Sequence, residues 1–288
     1  MGHEFMGALG SADDLSLLAP TLYALQKMIR ICELYGIEYD VLYNAKKTVC
    51  IFFNGKRNYR YDPPRVFLSG SPLEWASEVK HLGNIITWNL SEESEIKFKV
   101  SDFVGRTNSL IANFKGVDRS TSSVIFRSQC CHFYGCQAWS LDSKYLNKFD
   151  VAWRKAIRKL WSLPNITRSA ILPGIIDMNT VQDQAITRFV KMYNNVMQGK
   201  NNRMMLLCNI SIYSEIKGII GRNVRLVSRI SRCTYGHLTY DNNIKCNNDN
   251  FIRAKAVTEL TACLEGAQHI DNFDRDDIQV MRDYIACY

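Results

Sequence analysis

Phe5-Met6-Gly7-Ala8-Leu9-Gly10-Ser11-Ala12-Asp13-Asp14-Leu15-Ser16-Leu17-Leu18-Ala19 sets two adjacent carboxylates between two apolar runs. Runs of this kind around a short acidic tip predict a β-hairpin with its carboxylates at the turn. Such a tip suits hard divalent ions. Mg²⁺ is held by one or two carboxylates plus substrate phosphate, and paired ions stabilise both the attacking and the leaving oxygen of a displacement. Adjacent acids are also ordinary at a solvated turn, so the pair by itself leaves both readings open.

The stretch that follows adds order and spacing. Pro20 is predicted to open a helix and Gly36 to close it, with Leu22, Leu25, Met28 or Ile29, Cys32 and Tyr35 along one face. Asn44-Ala45-Lys46-Lys47-Thr48 then leads into a strand-like Val49-Cys50-Ile51-Phe52-Phe53. Val79-Lys80-His81-Leu82-Gly83-Asn84-Ile85-Ile86 reads as a further strand with a glycine in its middle.

Taken together, these residues resemble the reverse transcriptase of non-LTR (LINE-type) retrotransposons. Ala12-Asp13-Asp14 is similar to the [FY]-A-D-D hairpin, Asn44-x-x-Lys47-Thr48 to the N-x-x-K-[ST] element, and Leu82-Gly83 to the primer-grip strand. Phe133-Tyr134-Gly135-x-x-x-Trp139 and Trp153-Arg154-Lys155-x-x-Arg158-x-x-Trp161-x-Leu163-Pro164 resemble the thumb region. The resemblance covers roughly residues 5–165. It implies Asp13 as a Mg²⁺ ligand with Asp14 as its partner, and Lys47 near the nucleotide triphosphate as a general acid toward pyrophosphate. It also implies that Leu82, Gly83 and Asn84 orient the primer end. The partners implied are an RNA template and a DNA primer, with the deoxynucleotide entering only in the complete enzyme. An ordinary solvated lysine between turn and strand stays open for Lys47.

Two departures shape the expectation. Ser11 stands where the family has an aromatic residue, and the hairpin begins about ten residues after Met1. The upstream palm aspartate and the fingers are therefore expected to be missing, and the chain to be inactive alone as an RNA-directed DNA polymerase fragment.

Composition fits without selecting a chemistry. The 288 residues are 47% hydrophobic and 22% charged, as in a globular chain. No run of eighteen apolar residues occurs, and the ten cysteines are dispersed without a basic-then-apolar leader. An intracellular protein, nuclear or cytoplasmic and not secreted, with reduced thiols and no membrane span is expected. The net charge of +8 is uneven, with 22 basic and 10 acidic residues in 91–232. That excess attracts phosphate backbones, or simply keeps the chain soluble.

The predicted architecture is α+β. A partial polymerase palm (hairpin, helix, short strands) at 1–90 is followed by an all-helical thumb-like region at 91–165. A helical extension at 166–288 carries a polar linker near 240–250. Ser91 is a plausible N-cap before a helix bearing Ile96, Val100, Phe103, Thr107, Leu110 and Phe114. Helices are expected at about 119–139, 143–162, 178–198, 251–265 and 274–286. In the 143–162 helix, Phe149, Trp153, Ile157 and Leu160 share one face, with Arg154, Lys155, Arg158 and Lys159 beside and opposite it as candidate nucleic-acid contacts. Arg222, Arg225, Arg229 and Arg232 recur at three- or four-residue spacing. Cys130, Cys131 and Cys136 are expected on a helix as packing residues, while Cys233, His237 and Cys246 lack the paired short spacings of a zinc site. Besides the polymerase fragment, a non-catalytic RNA/DNA-binding protein and a plain helical interaction protein stay open.

Overall fold

Two-residue turns shape the first part of the chain. The computed structural model describes residues 7–53, 63–199, 202–213, 218–231, 237–238 and 240, and the chain divides into two units between Glu95 and Ile96. In the first unit β1 (Ala8–Ser11) and β2 (Asp14–Leu17) pair antiparallel with Ser11 opposite Asp14, leaving Ala12 and Asp13 as the turn. Ala12 bends it at φ 51°. The helix α1 (Leu22–Tyr39) starts at Thr21, whose hydroxyl accepts the Ala24 N–H.

That helix does not end at Gly36. Asp40 closes it in the left-handed region at φ 55°, donating its N–H to the Gly36 carbonyl. Gly36 is instead buried inside the last turns, where an added Cβ would lie 2.5 Å from the Val41 carbonyl oxygen. The glycine makes room for the chain folding back over it. Leu22, Leu25 and Ile29 turn inward as expected, whereas Tyr35 is exposed.

The strands β3 (Val49–Cys50), β4 (Phe67–Leu68), β5 (Ser71–Pro72), β6 (Glu74–Trp75), β7 (Glu78–His81) and β8 (Asn84–Thr87) are all short. β3 runs parallel to β6, and the other pairs, β4–β5 and β7–β8, are antiparallel hairpins. Among the described residues the strands form four two-stranded sheets. Ser69-Gly70 turns one hairpin at φ 49° and 76°, and Leu82-Gly83 turns the other at φ 47° and 79°. Positive φ at both central positions is the type I′ pattern that matches strand twist. Val79–Ile86 is thus two strands and a turn, because the glycine read as a strand interruption occupies the second turn position.

Ile29, Cys50, Val66, Leu68 and Leu73 form the core of this unit, bordered by Leu17, Leu22, Leu25, Tyr43, Ala45 and Trp75. Hydrogen bonds supplement so small a core. The Gln26 side-chain amide donates to the Phe67 carbonyl at 2.8 Å and accepts the Phe67 N–H at 2.9 Å, so α1 completes the edge of β4. Glu33 accepts the Ser69 N–H and pairs with Arg30 at 3.0 Å; these two bonds, the backbone one foremost, hold its carboxyl below the usual range.

Helix α2 (Glu93–Asn113) begins where Ser91 Oγ accepts the Glu93 N–H. From Ile96 onward the described elements are helical: α3 (Arg119–Ile125), α4 (Lys144–Leu160), α5 (Leu172–Ile175), α6 (Val181–Gln198), α7 (Asn202–Tyr213) and α8 (Ile219–Ser231). Ile96, Phe103, Thr107 and Leu110 are buried on α2, while Phe114 lies beyond the helix and is exposed. Phe149 on α4 sits among Phe103, Phe133 and Trp139 at ring separations of 5.5, 5.3 and 6.1 Å. Edge-to-face and tilted contacts of this kind add to the burial of each ring.

The helix expected at 119–139 stops early. A π-helical turn at Phe126–Cys130 follows α3, Gly135 turns at φ 87°, and a 3₁₀ turn spans Cys136–Ala138. Tertiary partners take the backbone groups that a continuous helix would have used. Arg188 Nη1 donates to the Phe133 carbonyl, and buried Asn223 donates to the Trp139 carbonyl while accepting the Leu141 N–H. Residues 251–265 and 274–286 and most of the polar linker lie outside the described residues. No helix among the described residues is long and apolar enough to cross a membrane. The chain is α+β, with small sheets followed by helices.

Candidate functional site

Asp13 lies in the exposed turn and Asp14 on β2 directly after it. Side chains alternate along a strand, so Asp14 shares a face with Ser16. Ser16 Oγ in turn meets His81 Nε2 at 3.1 Å. Since His81 immediately precedes the Leu82-Gly83 turn, the structure brings the second hairpin's tip region to the flank of the carboxylate hairpin. The partner strand is fixed separately, by the Ile85 N–H donating to Glu95 Oε2 at 2.6 Å. Leu82 is exposed and Asn84 half-buried, with its Oδ1 enclosed and without a hydrogen-bond partner among the described residues.

Asn44 explains the local order around Lys47. Its Oδ1 accepts the Lys46 and Lys47 N–H groups at 3.0 and 3.2 Å, and its carbonyl accepts the Thr48 N–H and hydroxyl at 3.0 and 2.9 Å. Asparagine and threonine thus build an Asx-type turn, and that turn presents Lys47 to solvent. Tyr43 and Ala45 border the same core as Leu17, so the Lys47 turn and the carboxylate hairpin rest on one apolar support.

Asp13 and Asp14 are hard oxygen donors, the ligand type that suits Mg²⁺. Among the described residues no cluster of three or more His, Cys, Asp or Glu side chains is placed to hold a metal. Cys233 and Cys246 lie outside the described residues; His237 Nδ1 meets Gln198 Nε2 at 3.3 Å.

The basic quartet on α4 divides by role. Arg154 Nη2 pairs with Asp150 Oδ2 at 3.0 Å. Arg158 donates through Nε and Nη2 to the Thr167 carbonyl and through Nη2 to Ser169 Oγ; burial, then the neighbouring Arg154 charge, lowers its pKa. Both arginines therefore also brace the structure, while each stays partly exposed. Lys155 is exposed, and Lys159 Nζ donates to Asn108 Oδ1 at 2.9 Å. Lys155, Arg158 and Lys159 join Ser162, Leu163 and Asn165 around an open groove of about 700 Å³.

Aromatic residues of the two thumb-like motifs serve the core. Phe133, Trp139, Trp153 and Trp161 are buried, and the Trp161 indole N–H donates to Ser123 Oγ at 2.9 Å. Cys130, Cys131 and Cys136 are buried free thiols, and burial raises the Cys136 pKa to about 11.

Part of this chain is similar to a retrotransposon polyprotein. The Retrovirus-related Pol polyprotein from type-1 retrotransposable element R1 of Bradysia coprophila is 25% identical over 118 residues. The match takes in 39% of this chain and spans only 12% of that polyprotein's length. No protein-family model matches the chain, and no solved structure does.

Sequence reasoning passed over Ser16 and His81. The available signal for Ser16 was its position two residues after Asp14 on a predicted strand; His81 gave none, since the hairpin that delivers it was read as a single strand. Ser162 and Asn165 escaped notice because they follow the helix whose charges were counted.

Proposed function

We propose that this chain is a part of an RNA-directed DNA polymerase from a mobile element. The observation that carries the reading is the contact between Ser16 and His81, which sets the Leu82-Gly83 hairpin beside the Ala12-Asp13-Asp14 hairpin. The similarity to the R1 Pol polyprotein supports it.

In this reading Asp13 holds a divalent cation and Asp14 supports it. A bound Mg²⁺ would supply electrostatic stabilisation to the phosphate under attack. Leu82, Gly83 and Asn84 orient the primer end, so that its 3′-oxygen attacks the α-phosphate and pyrophosphate departs. Lys47 donates a proton to that leaving group. Lys155 and Lys159 meet the backbone of the RNA–DNA duplex at the open groove, with Arg154 and Arg158 holding the helix end that presents them.

One hairpin's carboxylates are one clamp of a two-metal site, so residues 1–288 by themselves are proposed to be inactive. Fused to the fingers and upper palm of a related element, the chain is expected to extend a primer on an RNA template, and Asp13→Ala in that fusion to abolish extension. Extension that survives Asp13→Ala would overturn the proposed role of this residue. Templated extension by unfused residues 1–288, lost on Asp13→Ala, would instead overturn the proposed inactivity. A non-catalytic RNA/DNA-binding role is the second reading, favoured by the groove that Lys155 and Lys159 line. It is separated from the first by salt-sensitive binding without extension in the fusion.

A further inference from the structure

The last described helix carries a charge pattern that the polymerase reading leaves unused. Helix α8 (Ile219–Ser231) contains three arginines and no acidic residue, and the sequence of α7 beside it contains no acidic residue either. Gly221, Asn223, Val224 and Val227 are its buried positions. At 3.6 residues per turn, Arg222 and Arg229 fall on the opposite side of the helix, within about 20° of each other. Both are exposed.

This helix is firmly mounted. Asn223 holds it to Trp139 and Leu141 through two buried hydrogen bonds. An added Cβ on Gly221 would lie 2.1 Å from the Ser211 carbonyl oxygen, so the helix lies directly against α7 at that point. Arg225 is spent on this packing, donating through Nη1 to the Ile212 carbonyl at 3.2 Å. The two outward arginines therefore stand on a fixed base, about 10.5 Å apart along the axis at 1.5 Å per residue. That separation lets the two guanidinium groups meet separate phosphates of one backbone.

We propose that Arg222 and Arg229 form a second phosphate-backbone contact surface for nucleic acid, separate from the α4 groove. Asn223 docks α8 beside Leu141, near the start of α4, whereas the groove lies at the far end of that helix, about 25 Å along it. A polyanion suits a face whose two described helices, α7 and α8, carry no acidic residue. No aromatic residue on α8 offers a stacking surface for bases, so the contact is to backbone and indifferent to sequence. The inference rests on the nucleic-acid reading of this chain and extends it.

Fluorescence anisotropy of residues 1–288 with a labelled single-stranded RNA and a labelled RNA–DNA duplex tests it, from about 50 to 200 mM salt. R222Q/R229Q is expected to flatten the slope of log K against log salt by about 1.4 on the single strand or about 1.8 on the duplex. R222K/R229K should restore most of that slope, and circular dichroism should show the same helix content in all variants. An unchanged slope in R222Q/R229Q, while K155Q/K159Q weakens binding, overturns this inference alone. Absence of any binding by the wild type overturns the nucleic-acid reading with it. Displacement of RNA by polyglutamate at equal charge concentration overturns it in favour of an acidic protein partner.

Discussion

Residues 7–95 and residues 96–240 solve the problem of staying folded in different ways. Among the described residues the first region buries five apolar side chains in its core and the second buries twenty-nine. The first compensates with hydrogen bonds from helix side chains to strand backbone, at Gln26 and Glu33. The second relies on interlocked rings around Phe149. The difference teaches where each kind of chemistry is tolerated: turns bearing Asp13, Lys47 and Leu82 stand on a light, solvent-lined framework, whereas the helical region carries its charges on the outside of a dense one.

The contrast is most readily broken at Phe149. Phe149→Ala removes a ring packed against three others and is expected to cost about 3–5 kcal/mol in urea unfolding followed by tryptophan fluorescence. A loss below about 1 kcal/mol would mean that the helical region is not held by this cluster. Asn223→Ala comes next, at about 2 kcal/mol, because it leaves the buried Trp139 carbonyl and Leu141 N–H without partners. Thermal unfolding measures it, and Asn223→Asp should retain only the bond that the oxygen accepts.

Glu33 sharpens the other side of the comparison. Glu33→Gln is expected to cost about 1 kcal/mol at neutral pH, as a charge-assisted bond to Ser69 becomes a neutral one. Glu33 titrates lower in the folded chain than in the unfolded one, so its contribution is complete above the ordinary glutamate range. It is lost as pH falls through the lowered folded value. The wild type and the variant should therefore converge in stability on acidification, which paired unfolding curves across pH would show. The smallest effect is a gain. Leu82 sits at φ 47°, a region that suits asparagine better than leucine, so Leu82→Asn should stabilise the β7–β8 hairpin by about 0.5–1 kcal/mol.

The carboxylate hairpin and the apolar stripes of α1, α2 and α4 were legible because each follows a local period. Strand alternation and helical spacing are properties of neighbouring residues. The errors arose where distant residues decide. Gly36 reads as a helix end until the returning Val41 carbonyl is known, and 119–139 reads as one helix until Arg188 and Asn223 claim its carbonyls. Charge counting on α4 could not see that Asp150 engages Arg154 and that Thr167 and Ser169 engage Arg158. Within the candidate site the carboxylates and Lys47 were visible, but the His81 contact was not, since it joins residues 65 positions apart.

The buried thiols give the chain an internal clock. Cys50 lies in the small core and Cys208 in the large one, and burial raises both pKa values, so neither offers a reactive thiolate while its surroundings stay closed. Alkylation at each position therefore proceeds only through opening events, and its rate counts them. Read side by side by mass spectrometry in one sample, Cys50 and Cys208 report how often each region breathes without any residue being substituted.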